Sequence, residues 1–428
     1  MLALIILYKP IMQCLECKRN LRHQTTIHTK MDEIKKPHNQ IELVIDSSII
    51  TTNTQTAAPA CQQELSFINK KHYSSSSSIL TRIHAGYFRI SLSFCTQALL
   101  WKTFGDQPND QDPQMFHGLL HAFPRAAFVL LWCLALTTLL SLSFLYILKC
   151  FYHFKMVKSE YCHHVGVNYL FAPWTSWLLL LQTSPFLAPK TIYFAALWWI
   201  FILPVVVLDL KIYGQWFTKG KRFLSAVANP TSQLTVIGNL VGARVAAEMG
   251  WKESAICMFS LGMAHYLVLF VTLYQRLGGK DRLPVMLNPV YFLFFATPSM
   301  ASLAWYSITG TFDPMSKMLF FLSLFLFASL VSRPNLFKKS MRRFNIVWWA
   351  YSFPLTMLAL ASIKYSREVK SSVSHGLMLV LSATSFAVFL GLFVYSALNI
   401  HHVIFNFLPK RPHADPTNMN PITDSTKV

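Results

Sequence analysis

The side chains best suited to chemistry in this chain do not form a catalytic motif. Cys14 and Cys17 make a single CxxC pair, and Cys162, His163 and His164 make a crowded triplet. Either group could bind zinc, but a structural zinc site needs four ligands at suitable spacing, so we interpret both as residues of loops or helix ends. The sequence has no GxSxG, HExxH or Walker-type pattern. It therefore predicts a protein that is not an enzyme and that holds no metal or cofactor.

A charge inside an apolar run is costly and marks a candidate functional site, and we single out three basic residues in such runs. They are Arg89, Arg244 and Lys364. Arg244 precedes Glu248 by one helical turn, so an ion pair and a role in transport both stay open for it. Lys364 lies near the end of its run, where it can also extend to the membrane interface. The runs that hold these cations contain no carboxylate at depth, which favours a path for a small anion over one for a cation.

The composition predicts a polytopic membrane protein. The chain has 428 residues, of which 53% are hydrophobic and only 13% are charged, against about 25% charged in soluble domains. Its net charge is +20, but the Lys and Arg residues form short clusters between apolar runs. Such clusters are typical of orientation signals beside a lipid bilayer and not of a nucleic-acid-binding face, so we expect no nucleic-acid partner.

Ten apolar windows of spanning length follow one another along the chain. They lie near residues 84–104, 125–152, 168–184, 191–213, 231–248, 252–276, 289–308, 315–332, 344–364 and 374–400. The loops after even-numbered windows are basic, as between Arg333 and Arg343, whereas those after odd-numbered windows are acidic or mixed. The positive-inside rule makes the basic loops cytoplasmic, and an even number of spans then places both termini in the cytoplasm.

The windows alternate in character, which indicates a repeated two-helix unit. Odd windows are short and contain small or hydroxyl residues beside Pro173, Pro230, Pro298 or Pro354, and the first has Gly86 instead. Even windows are longer or more apolar. Broken helices are tolerated at membrane depth where they line a cavity. We therefore predict an all-α polytopic membrane protein of ten transmembrane helices, arranged as five hairpins in quasi-five-fold order, with kinked odd-numbered helices around a central pore.

Polar residues at helical spacing mark the faces that would line this pore. The same residue types also mediate helix–helix packing, and both interpretations stay open for any one helix. The pore-lining candidates are Arg89, Ser93, Gln97, Phe171, Pro173, Thr175, Ser232, Thr235, Asn239, Pro298, Thr356, Leu360 and Lys364.

Polar segments flank the predicted channel domain of residues 81–403. Residues 1–80 read as a disordered cytoplasmic tail that ends in a run of serines, and residues 404–428 read as a second cytoplasmic tail. Met31 is an alternative start, in which case residues 1–30 are an extension of the gene model.

Several long motifs are distinctive. They are "LKIYGQW" (210–216), "ANPTSQL" (228–234), "AHYLVLFVTLYQRL" (264–277), "SRPNLFKKS" and "WWAYSFPLT". These motifs resemble those of the plant slow-type anion channels, the family of the guard-cell slow anion channel, which are related to bacterial tellurite-resistance/dicarboxylate transporters. The motifs span about residues 82–400, and "HAGYFRISLSFCTQALLWK" is most similar to the short-tailed branch of the family.

The resemblance implies a homotrimer with one pore per subunit, or a heterotrimer with related subunits. It further implies passive conduction of chloride and nitrate across the plasma membrane. Phe353 matches the family's gating phenylalanine, which the break at Pro354 would aim across the pore. Guard-cell members carry long tails through which protein kinases act, whereas the tail here is short, so kinase regulation stays open.

Arg89 stands where the guard-cell members have glycine. A fixed cation there could attract, trap or block anions, so an electrically silent subunit that modulates a conducting homologue is one alternative. A carrier of small organic anions, as among some bacterial relatives, is the other.

The charge pattern of the loops generates a prediction about topology. Epitope tags inserted after Ser74 and at Val428 should both be protected in intact cells and become accessible to protease on permeabilisation, because an even number of spans returns the chain to the cytoplasm. A tag between the first two windows should be cleaved from outside. Cleavage of either terminal tag in intact cells would contradict the ten-span arrangement.

Overall fold

The computed structural model describes residues 79–106, 117–163, 165–218, 228–277, 285–338, 340 and 345–399. Within these ranges the chain is helical and contains no β-strand. Most of both predicted tails lies outside the described residues, and so do Cys14, Cys17, Met31 and His164. Many residues of the basic loops also lie outside them, including those at 219–222, 280–282, 341–343 and 410–411. Residues 79 and 80, which we assigned to the first tail, begin a short helix, Ile79–Arg82.

Ten helices of thirteen residues or more lie in the described ranges. They are α1 (Phe88–Gly105), α2 (His117–Tyr152), α3 (Phe171–Thr183), α4 (Ile192–Thr218), α5 (Gln233–Glu248), α6 (Lys252–Leu277), α7 (Leu293–Thr309), α8 (Pro314–Val331), α9 (Ser352–Val369) and α10 (Ser372–Leu398). Shorter helical turns connect them, among them Phe154–Cys162, Gly166–Tyr169 and Asn335–Lys338. The helices match the ten predicted windows in order and in position.

The odd-numbered helices form a closed inner ring. Helix α1 packs against α3, α3 against α5, α5 against α7, α7 against α9, and α9 returns to α1. Each inner helix also packs against the even-numbered helix that follows it. This arrangement confirms the predicted quasi-five-fold order of hairpins.

Inner and outer helices differ in how far they face the surroundings. Among the described residues, six segments are long and apolar enough to cross a membrane: five belong to the outer helices, and the sixth, Ile346–Val369, contains α9. In the apolar stretch of that sixth segment 89% of the residues are buried within the protein, against 17% in the apolar stretch of α2. The remaining inner helices are shorter or more polar because protein, not lipid, surrounds them. The chain is therefore a multi-pass membrane protein, while the total of ten spans stays a prediction.

The inner helices begin in an irregular way that the sequence analysis placed wrongly along the chain. A 3-10 turn precedes α1 (Ala85–Tyr87), α5 (Pro230–Ser232), α7 (Val285–Phe292) and α9 (Ile346–Tyr351). We expected a proline to break each inner helix except α1, at the centre of the stretch 348–365 in the case of Pro354. Instead Pro173 and Pro354 are the third residues of α3 and α9, where a missing N–H removes no bond within the helix. Only Pro298, of the four predicted break sites, lies inside a described inner α-helix, and outer helix α4 also contains a proline, Pro204.

A side-chain cap begins three of these turns. His84 Nδ1 accepts from the Gly86 N–H at 3.1 Å, and the Asn229 and Asn345 side chains accept from the N–H two positions on at 2.9 and 3.2 Å. Each cap satisfies a donor that has no partner within the helix. The same kind of cap thus defines the start of three of the five inner helices.

Hydroxyl and amide side chains join the helices of the ring. Such bonds are favoured between helices because they satisfy polar groups that lipid cannot. They include Ser91–Ser176 (3.2 Å), Thr297–Gln233 (2.9 Å), Gln97–Thr356 (3.0 Å), Thr356–Ser385 (3.0 Å) and Ser302 to the Ser316 carbonyl (2.7 Å).

A buried ion pair ties the chain preceding α1 to the end of α2. Lys149 forms a salt bridge with Glu160 and donates to the Ile83 carbonyl at 2.5 Å. Tyr146 donates to the second Glu160 oxygen at 3.2 Å. Lys149 is 1% exposed and Glu160 is 8% exposed, so neither charge is left to water.

This ion pair generates a prediction about stability. Lys149→Met should lower the free energy of unfolding by about 3–5 kcal/mol, because it leaves the Glu160 carboxylate buried and uncompensated. Thermal unfolding of the purified protein in detergent measures the loss. Adding Glu160→Leu should restore most of it, and the control Lys155→Met, at an exposed position, should change little. An unchanged unfolding temperature for Lys149→Met would show that the pair does not anchor this segment.

Candidate functional site

A small cavity lies at the amino-terminal ends of the inner helices. Its lining residues come from all five repeats: Arg89, Leu92, Tyr169, Leu234, Val290, Leu293, Trp349, Ala350 and Phe353. Because every repeat contributes, the cavity sits on the axis of the ring.

Helix caps in three of the repeats stand at the same distance along the chain from a residue that lines this cavity. Three lining residues stand five positions after a capping residue: Arg89 after His84, Leu234 after Asn229 and Ala350 after Asn345. Tyr169 and Leu293 complete the set from the other two repeats. Sequence reasoning did not identify these lining residues as a set, although the His or Asn that recurs five positions before three of them was a usable signal.

Arg89 is the one charged residue among those lining the cavity. It is 6% exposed, and its guanidinium carbon lies 4.8 Å from the centre of the Tyr169 ring. Its Nε and Nη1 atoms have no hydrogen-bond partner in the part of the chain that the structure describes. A Cβ at Gly86 would lie 3.1 Å from Arg89 Nη2, so this glycine leaves room for the guanidinium. The site can thus offer unused N–H donors and a positive charge to a small anion.

Phe353 lines the same cavity from α9. Its side chain is 2% exposed, and the volume open to the centre of a water molecule is about 10 Å³, which is room for roughly one water. Leu92, Leu234 and Leu293 add apolar surface around the ring. The side chains that line the cavity are therefore mostly hydrophobic.

The other polar candidates of α1 and α9 contact neighbouring helices. Ser93 donates to the Trp349 carbonyl at 3.4 Å. Gln97 Nε2 donates to Thr356 and, at 3.0 Å, to Ser385 on outer helix α10. Leu360 is buried. These residues hold helices together, and their pore-lining role stays a prediction.

The polar candidates at the start of α5 contact the turn before α3, and Asn239 contacts outer helix α6. Asn168 Nδ2 donates to Ser232 at 3.2 Å, and Thr235 donates to Asn168 at 3.5 Å. Asn239 packs against α6, where a Cβ on Gly262 would lie 3.2 Å from the Asn239 Cβ. Leu234, not the predicted polar stripe, is the α5 residue that lines the cavity.

Five further candidates also do not line the cavity. Phe171 and Thr175 face Gly238 on α5, at 3.3 and 3.4 Å from an ideal Cβ there. Pro173 and Pro298 are buried within their helices. Lys364 lies near the opposite end of the ring, with Nζ 4.7 Å from the centre of the Tyr306 ring.

Sequence reasoning missed one buried carboxylate. Asp209 on outer helix α4 is 2% exposed and faces the side chain of Asn239. Its signal was plain, because an aspartate inside an apolar window is uncommon. Asp209 is not among the residues lining the cavity, so it does not oppose the charge of Arg89 there.

Comparisons with known proteins agree with the geometry. The model of one protein family, described as voltage-dependent anion channel, matches residues 82–397. The S-type anion channel SLAH1 of Arabidopsis thaliana is 55% identical over 86% of this chain and 92% of its own length. SLAH4, an S-type anion channel of the same plant, is 53% identical over 85% of this chain and 94% of its own length. The guard cell S-type anion channel SLAC1 is 44% identical over 75% of this chain and 56% of its own length.

Proposed function

The chain belongs to the voltage-dependent anion channel family, and we propose that it is a slow-type channel subunit that passes chloride and nitrate passively across the plasma membrane. The observation that carries this proposal is the axial cavity, where Arg89 is the one charged residue among the lining side chains and is buried with unused donors. In a low-dielectric interior a fixed cation lowers the energy of a nearby anion far more than in water. Arg89 would thus select for negative charge on the path.

Phe353 is the proposed gate of this path. Its ring lines the cavity together with leucines of α1, α5 and α7, and a narrow apolar constriction stops ions by excluding water. The start of α9 supports a change of ring position, because Phe353 is the second residue of the helix and directly follows the region of a 3-10 turn, and 3-10 segments that continue into an α-helix often mark hinges.

We further propose residues 81–403 as the channel domain, with both tails cytoplasmic. The proposed assembly is a homotrimer, or a heterotrimer with related subunits, with one axial path in each subunit. The closed ring of inner helices supports a separate path per subunit, because it surrounds its own axis without a partner chain.

A silent subunit that modulates a conducting homologue is the second candidate, and Arg89 is again the observation that favours it. Conduction needs binding weak enough for the ion to leave, and a buried, unpaired guanidinium can hold an anion too tightly. The carrier of small organic anions finds less support, since the cavity here has room for roughly one water only.

If Phe353 is a gate, its truncation should raise the anion current, and if it is only a packing residue, its truncation should lower the current. Phe353→Ala should give a severalfold larger, constitutive anion current, because it removes the ring that closes the path. If Phe353 were only a packing residue, its truncation would cost about 3–5 kcal/mol and reduce both protein and current. Currents are measured in oocytes for the subunit alone and with a conducting homologue, at equal surface expression.

Phe295→Ala is the matched control for this experiment. Phe295 is also fully buried on an inner helix, but it packs against Phe292 and Phe327, at 5.3 and 5.2 Å between ring centres, and does not line the cavity. It should lower the amount of protein without opening a current. A Phe353→Ala subunit that reaches the surface and conducts no more than wild type in either context would place the gate elsewhere.

Arg89 generates a prediction that separates the two candidate functions. Arg89→Gly should uncover or raise current in the subunit expressed alone if the charge traps anions, and Arg89→Lys should keep the wild-type behaviour. Reversal potentials in chloride and nitrate gradients report selectivity. Unchanged current and an unchanged nitrate-to-chloride permeability ratio in Arg89→Gly, alone and co-expressed, would show that Arg89 does not face the path.

A further inference from the structure

A second group of charged residues lies at the carboxy-terminal ends of the inner helices. It includes Lys102 on α1, Arg244 and Glu248 on α5, and Lys364 and Arg367 on α9. Arg89 and Lys102 are separated by thirteen positions on α1, which corresponds to roughly 20 Å along the helix. The two groups therefore occupy opposite ends of the ring.

Two of these cations are already used by the protein backbone. Lys102 Nζ donates to the Gln182 carbonyl at 3.2 Å, and Arg367 Nη2 donates to the Thr103 carbonyl at 2.7 Å. Both carbonyls lie in the last turns of helices, where acceptors have no partner within the helix. Lys102 and Arg367 thus act as caps.

Arg244 and Lys364 retain donors that the backbone does not use. Arg244 is 6% exposed, and its Nη1 has no hydrogen-bond partner among the described residues. The Lys364 ammonium faces the ring of Tyr306 at 4.7 Å, and it lies within electrostatic range of Arg244. The two cations thus share one region, beside Tyr306 of α7.

Glu248 occupies part of this region. Its Oε1 atom lies 3.5 Å from Arg244 Nε and accepts a hydrogen bond from the Gln182 side chain. The Glu248 side chain is 30% exposed, whereas that of Arg244 is 8% exposed. Its carboxylate therefore sits on the solvent side of the guanidinium, where an arriving anion would sit.

We propose that Arg244 and Lys364 form a second binding site for small monovalent anions, and that the Glu248 carboxylate competes with the anion for Arg244. This inference rests on the proposed function, because it adds a binding site at the other end of the same path. An anion bound there uses the free Arg244 donor and the Lys364 ammonium. Glu248 keeps this site weak enough to release its anion, as conduction requires.

Thermal unfolding of the purified full-length protein tests the site without any current. Sodium nitrate replaces sodium gluconate at constant ionic strength, and the unfolding temperature is followed as nitrate rises, since a ligand of the folded state stabilises it. The titration is run in the wild-type protein and in an Arg89→Gly variant, which lacks the guanidinium that could bind nitrate in the axial cavity.

Glu248→Gln should lower the half-saturating nitrate concentration about threefold or more, because it removes the competitor of a partly buried cation. Arg244→Gln and Lys364→Gln should raise that concentration about tenfold or abolish the effect. Lys252→Gln, an exposed cation at the start of α6, is the matched control and should leave it unchanged. If Arg244→Gln does not fold, the half-saturating nitrate concentrations of Lys364→Gln and Glu248→Gln determine whether the site exists.

An unchanged half-saturating concentration in Lys364→Gln, or a weaker affinity in Glu248→Gln, would overturn the site and leave Arg244–Glu248 as a structural ion pair. The proposed function fails separately. A Phe353→Ala subunit that carries no current would rule out Phe353 as the gate. The expected nitrate shifts would still support the second binding site at Arg244 and Lys364.

Discussion

The inner helices depend on the outer ones to keep lipid away from their backbone. In hydrocarbon an unpaired N–H or C=O costs several kcal/mol, so a helix that faces lipid must be regular. Inside the ring that constraint is relaxed. The inner helices begin with 3-10 turns capped by His84, Asn229 and Asn345, and they accept proline in their first turns. The outer helices are long and apolar because they alone face the surroundings.

The same shielding gives single charges a large effect. Two unit charges 4 Å apart interact by roughly 4 kcal/mol at an effective dielectric constant of 20, against about 1 kcal/mol in water. Arg89 has no carboxylate beside it in the cavity, whereas Arg244 has Glu248 at 3.5 Å. A cation without a counter-ion binds an anion strongly and releases it slowly. A cation that has a counter-ion binds an anion more weakly and releases it faster. The two ends of the path would therefore differ in how long they hold an anion.

Polar residues in a membrane helix serve two purposes, and this explains which parts of the site could be predicted. Arg89 and Phe353 were identified from the sequence and do line the cavity, because a buried charge and a long motif are signals of their own. Gln97 and Thr356 were assigned to the pore from their helical spacing, but they bond to each other and to Ser385. Small polar residues suit a wet path and a helix contact equally well. Spacing alone does not distinguish the two.

The sequence by itself determined the membrane class, the ten helices, their order in five pairs and the family, because hydrophobic length, periodicity and long motifs are properties of local segments. Only the tertiary structure decided which side of each inner helix faces the axis. Periodicity defines a face of a helix but does not name its neighbour, and the bond between Gln97 and Thr356 joins residues 259 positions apart. The place of each break was likewise decided by the capping residue that starts the helix, since a proline interrupts a helix only where an N–H would otherwise be bonded. Pro354 therefore lies in the first turn of α9, directly after Phe353, with no bond of the helix lost.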